Sequence, residues 1–205
     1  MSDPNTIHDD IAFMRKLAEQ GRSGPILGGT FLIAAGLVFG LACVVQWAAM
    51  QKYLPLAGWD MLYLWGGAIA LFAAGWFALF FRQRAKAGLP VNSANSIFGT
   101  VWSANAVGVL TAVAVVTMVG AATGSYAVYD LNISLPFVFY GVAWGVSGAL
   151  AKRAWMYGAA VAAFVFAIIL AALTGSPYQI LGMGAALVLA LSVPGYKLMT
   201  EEPRA

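Results

Sequence analysis

Residues 154–196 read AWMYGAAVAAFVFAIILAALTGSPYQILGMGAALVLALSVPGY, and no charged side chain occurs among them. A helix crosses the roughly 30 Å hydrocarbon core of a bilayer with about 20 apolar residues. This stretch is too long for one crossing, and Thr174-Gly175-Ser176-Pro177 breaks it near the middle. It therefore reads as two spans, 154–173 and 178–198. Pro177 suits a first helical turn, where its missing N–H leaves nothing unsatisfied, and Ser176 is placed to cap the helix that follows.

The same pattern extends through the chain. Eleven Lys/Arg and eight Asp/Glu are confined to 3–22, 52–60, 82–86, Asp130, 152–153 and 197–204. Between those clusters lie further apolar runs that predict spans over 25–50, 61–81, 96–121 and 131–151. Charged residues make up 9% of the 205 residues, against about 25% in soluble domains. So few charges cannot coat a water-facing surface, so lipid is the expected solvent. In lipid each backbone polar group must be satisfied within its own segment or in a closed barrel. Runs this long and uniformly apolar exclude barrel strands. The expected fold is an all-α, polytopic membrane helix bundle. It divides into a leader (1–22), a six-helix transmembrane domain (23–198) and a cytoplasmic tail (199–205).

Charge placement orients it. With the N-terminus in the cytoplasm, Arg15, Lys16, Arg22, Arg82, Arg84, Lys86, Lys152, Arg153, Lys197 and Arg204 all fall inside. Only Lys52 falls outside. That is the positive-inside distribution, and it places both termini in the cytoplasm. The basic residues sit at span ends, so the net charge of +3 is no nucleic-acid signal. The polar, acidic start lacks the basic layout of a cleavable signal peptide. Ahead of the first span, Ile7, Ile11, Phe13, Met14 and Leu17 share one face of a short predicted helix, with charges opposite. Such a helix lies at a membrane surface, packs on the bundle, or docks on a partner.

Chemistry-bearing patterns are sparse. No ionisable residue sits in mid-span, which argues against a proton relay or pump. His8 is the sole histidine and Cys43 the sole cysteine. Together they exclude a bis-histidine haem, a disulfide within the chain and a multi-cysteine metal site. No cofactor is expected. Asp60 and Asp130 stand near outer span ends, where solvated loop residues are the default and a shared divalent ion is the sharper reading. The candidate polar lining for a small ligand consists of Asn105 and Thr111 on the third span with Tyr140, Trp144 and Ser147 on the fourth. Hydrogen bonding between helices is the plainer account of these residues. Gly36 and Gly40, with Gly141, Gly145 and Gly148, form small-residue rows for close helix packing or an oligomer interface. Gly66, Ala70 and Ala74 make a similar row on the second span. Three two-span hairpins are the natural units, and Pro194-Gly195 reads as an early stop or a kink in the sixth helix.

Three segments carry a resemblance: Asp10–Gly21 (DIAFMRKLAEQG), Leu135–Gly141 (LPFVFYG) and Val193–Met199 (VPGYKLM). With their order, the chain resembles a group of small, uncharacterised six-span bacterial inner-membrane proteins. The resemblance implies a bacterial cytoplasmic membrane and no particular activity or site residue. The expected function is a non-enzymatic membrane scaffold or accessory protein that binds lipid, a membrane partner or another copy of itself. The alternatives are a path for a small neutral or lipophilic solute and a lipid-modifying enzyme.

Overall fold

The computed structural model describes residues 28–85 and 93–201. Among them are seven α-helices: α1 (Gly29–Met50), α2 (Trp59–Ala85), α3 (Ser93–Thr123), α4 (Tyr126–Ala151), α5 (Ala154–Ala172), α6 (Tyr178–Leu187) and α7 (Val193–Thr200). A single π-helical turn, Val188–Ser192, joins α6 to α7 without a break. α6, the π turn and α7 together make the sixth of six helical segments long and apolar enough to cross a membrane. The chain is an all-α bundle of multi-pass membrane type. The leader face of Ile7, Ile11, Phe13, Met14 and Leu17 lies outside the described residues, as do 202–205.

Element ends follow local chemistry. The turns after α1, α3 and α5 hold Gly58, Gly124 and Gly175 at φ of 56°, 65° and 81°, a region that L side chains avoid. The break expected at Thr174–Pro177 is present. Pro177 is the residue at the N-cap of α6. Ser176 acts one position earlier, its Oγ accepting from the Tyr178 N–H at 3.3 Å. α4 starts at Tyr126, five residues before the expected Leu131. The lone charge of Asp130 falls within its first two turns and does not delay the helix.

Of the two readings of Pro194-Gly195, the early stop is corrected. The sixth helix neither stops nor ends early there, but continues to Thr200. Proline lacks the N–H that would bond the carbonyl four residues back, and its ring crowds that carbonyl. The π turn immediately before Pro194 absorbs the crowding, as single π bulges do within α-helices.

Packing goes beyond the three expected hairpins, and the third does not pair on itself. α1 lies along α6, the π turn and α7, while α5 lies mainly along α4 rather than along its own hairpin partner. The α1 seam is made by small residues facing each other. A Cβ on Gly195 would meet Gly29 O at 2.8 Å, and one on Gly184 would meet Gly40 O at 3.0 Å. One on Gly36 would collide with the Ser192 hydroxyl. That hydroxyl donates to Ile33 O at 3.1 Å, tying the two helices at their closest approach. Lipid offers no hydrophobic drive for helix association, so close backbone packing and such hydrogen bonds hold the seam.

α2 and α3 are flanking helices. α2 packs chiefly on α1 and α3 chiefly on α4. Only 6% of each hydrophobic window is buried, against 56% for the sixth span. Asn132 Nδ2 donates to Thr117 Oγ1 at 3.2 Å across the α3–α4 contact.

Candidate functional site

Two places in the bundle concentrate polar and aromatic groups. The first is an aromatic cluster where α3, α4, α5 and the π turn meet. Trp144 is fully buried at its centre. Trp102 meets its ring edge-on at 5.1 Å, and Trp155 lies 5.8 Å away on the α5 side. Tyr140 stacks on Trp102 at 6.4 Å and meets Phe137 edge-on at 5.6 Å. Lys197 Nζ sits 4.7 Å over the Trp155 ring, a cation–π contact. Nearby, Arg153 pairs with Glu201, joining the start of α5 to the end of α7.

The Trp144 indole N–H donates to Ala190 O at 2.9 Å. Ala190 stands four residues before Pro194, so its carbonyl is the one that proline cannot serve. An indole from α4 takes the place of the missing backbone donor. Three buried polar atoms beside this centre have no hydrogen-bond partner among the described residues: Trp102 Nε1, Ser147 Oγ and Trp155 Nε1.

The second place is a cleft of about 280 Å³ at the end of the bundle that carries the α1–α2, α3–α4 and α5–α6 turns. Gln46 and Met50 of α1, Asp130 and Ile133 of α4, and Gln179 of α6 line it, with Gly175, Ser176 and Pro177 of the turn. Gln179 is 2% exposed. Its Nε2 donates to Leu170 O at 2.9 Å, and more weakly to Thr174 Oγ1 and Asp130 O. It thereby gives a second donor to a carbonyl at the C-terminus of α5 that already accepts the Leu173 N–H at 3.2 Å. Asp130 Oδ2 accepts the Gly175 N–H at 3.0 Å. Gln46 Oε1 accepts the Trp65 indole N–H at 2.7 Å.

The expected polar lining separates into parts. Tyr140, Trp144 and Ser147 come together in the aromatic cluster. Asn105 lies one turn beyond Trp102, half-buried and without a side-chain hydrogen bond among the described residues. Thr111 is exposed on the outer face of α3. The small-residue rows also find definite neighbours. Gly36 and Gly40 lie in the α1 seam, and Gly141 and Gly148 face Phe164 and Met156 of α5, with Gly145 near Ala160. Gly66 of α2 has no atom within 4 Å of where a Cβ would be. Asp60 Oδ2 accepts the Ala57 N–H at 3.0 Å, so Asp60 closes a local turn, whereas Asp130 ties α4 to the distant α5–α6 turn. Among the described residues no group of three or more His, Cys, Asp or Glu is placed to hold a metal.

Sequence reading passed over Gln46, Gln179, Trp102 and Trp155 as site residues. The two glutamines carried a signal, being uncharged amides at the ends of apolar runs. The convergence of tryptophans from α3 and α5 on Trp144 carried none, because helical phase does not name the facing helix and Trp155 comes from another hairpin. No protein-family model, no curated protein and no solved structure matches the chain.

Proposed function

We propose that the protein is a non-enzymatic integral membrane scaffold or accessory protein, and that the outer face of α2 receives a helix of a membrane partner or of a second copy. The carrying observation is the uneven packing of the spans. The centre of the bundle is closed by fused glycine seams and stacked aromatics, whereas α2 leans on one neighbour and leaves 94% of its hydrophobic window unburied, the complement of its 6%. On that open helix Gly66, Gly67 and Gly75 have, among the described residues, no atom of another element within 4 Å of a built Cβ. Small residues allow close helix approach, and no helix among the described residues uses them. A solute path draws less support. Thr111 faces away from the other lining residues, and Trp144 fills the space between them.

The placement that fits this reading is a bacterial cytoplasmic membrane with both termini inside, supported by the positive-inside split and by the resemblance noted above. The test is native mass spectrometry of the chain released from its own membrane, wild type beside Gly67→Leu. The reading expects a homodimer or a bound partner in the wild type and its loss in the variant. Identical, monomeric spectra would refute it.

A further inference from the structure

We infer that the 280 Å³ cleft between α1, α4 and α6 binds an ammonium group carried on an apolar stem. The inference stands apart from the partner-binding reading, because the cleft and the open face of α2 are different surfaces.

The chemistry of the lining sets the ligand class. Among the described residues that line the cleft, Asp130 is the only charged one, and none is basic. The Gln179 amide nitrogen is spent on carbonyls, so what it can offer a ligand is its oxygen. Gln46 Oε1 and Ser176 Oγ each accept one hydrogen bond already and keep a further lone pair. The remaining donors are the Gln46 amide nitrogen and the Ser176 hydroxyl proton. One negative charge with several oxygen acceptors suits a cation that carries N–H donors or a diffuse positive charge. It does not suit an anion.

The other walls decide between an inorganic and an organic cation. Met50, Ile133, Pro177 and Ile180 are apolar. Calcium takes six to eight oxygen ligands, usually with several carboxylates, and one aspartate falls short. An alkylammonium uses both halves of the lining: its charge meets Asp130 and its carbons meet the aliphatic wall. The volume holds about nine waters at roughly 30 Å³ each, the scale of a small amine or a lipid headgroup rather than a large metabolite. A free amine and the ethanolamine headgroup of a phospholipid share this chemistry.

The test uses the purified chain in detergent, titrated calorimetrically with ethanolamine and with choline. A parallel sample in nanodiscs of phosphatidylethanolamine or phosphatidylglycerol is read by native mass spectrometry for retained lipid. Asp130→Asn is the main variant, because its amide oxygen still accepts the Gly175 N–H and the turn keeps its closure. Ile133→Trp fills the cleft while the carboxylate stays. Binding is expected to be saturable and about tenfold weaker in D130N, the size of one charge-assisted hydrogen bond. It should be lost in I133W with the melting temperature of both variants preserved. Binding of the free amines assigns a soluble ligand, and selective retention of phosphatidylethanolamine alone assigns a headgroup. No ammonium binding in either sample, equal binding by D130N, or calcium bound in preference would overturn the inference.

Discussion

Ala190, Pro194 and Trp144 form the arrangement on which the bundle's centre turns. Proline removes a backbone donor, and a tryptophan two spans away supplies one. In membranes a side-chain hydrogen bond between helices is worth about 0.6 kcal/mol on average. This one serves a carbonyl without its normal α-helical partner, so Trp144→Phe should cost more, about 1–2 kcal/mol by reversible unfolding in mixed micelles. Pro194→Ala restores an N–H four residues beyond Ala190. The double variant W144F/P194A should therefore recover part of the loss, and strictly additive effects would contradict the substitution of one donor for the other. Gln179→Leu tests the second polar anchor. It removes the shorter of two hydrogen bonds to Leu170 O, which keeps the Leu173 N–H at 3.2 Å, and should destabilise by about 0.5–1.5 kcal/mol; a stability within error of wild type would show that the amide is dispensable.

At the scale of elements, glycines that looked alike in sequence have different employment. Gly36, Gly40, Gly184 and Gly195 are pressed against backbone in the seam between α1 and the sixth span. Gly67 and Gly75 of α2 meet no other element within 4 Å among the described residues. Gly36→Leu should cost at least the roughly 1–3 kcal/mol of an overpacked core and lower the yield of folded chain, whereas Gly75→Leu should leave thermal stability unchanged in detergent. Equal effects at both positions would mean that the seam is not where the bundle is held. The number of helices and the breaks between them were legible in sequence because charge clusters and turn residues mark them, though α4 begins five residues ahead of its expected start. The helix through Pro194 was not, since a proline near a span end has the same signature whether it stops a helix or is accommodated by a π turn. The pairing of α4 with α5 and of α1 with the sixth span was equally hidden. Glycine spacing advertises close packing and does not name the partner.

For the whole molecule, the composition carried the fold and little of the function. A chain with 9% charged residues declares its solvent, and six separated apolar runs declare the bundle. Of the five candidate lining residues, the fourth-span stripe did bring Tyr140, Trp144 and Ser147 to one place. Thr111 pointed away because helical phase alone does not say which face of α3 meets α4. Asp130 was visible as an isolated charge, but its neighbours Gln46 and Gln179 come from spans remote in sequence. The central claim is that six segments cross the bilayer, the sixth doing so as one continuous helix through Pro194. The most direct measurement is membrane-impermeant thiol labelling in sealed vesicles, using single cysteines at positions 58, 124, 176, 152 and 200 in a Cys43→Ser background. Labelling of 58, 124 and 176 from one side, with 152 and 200 reached only from the other, is the predicted result. Labelling of 176 and 200 from the same side would contradict it.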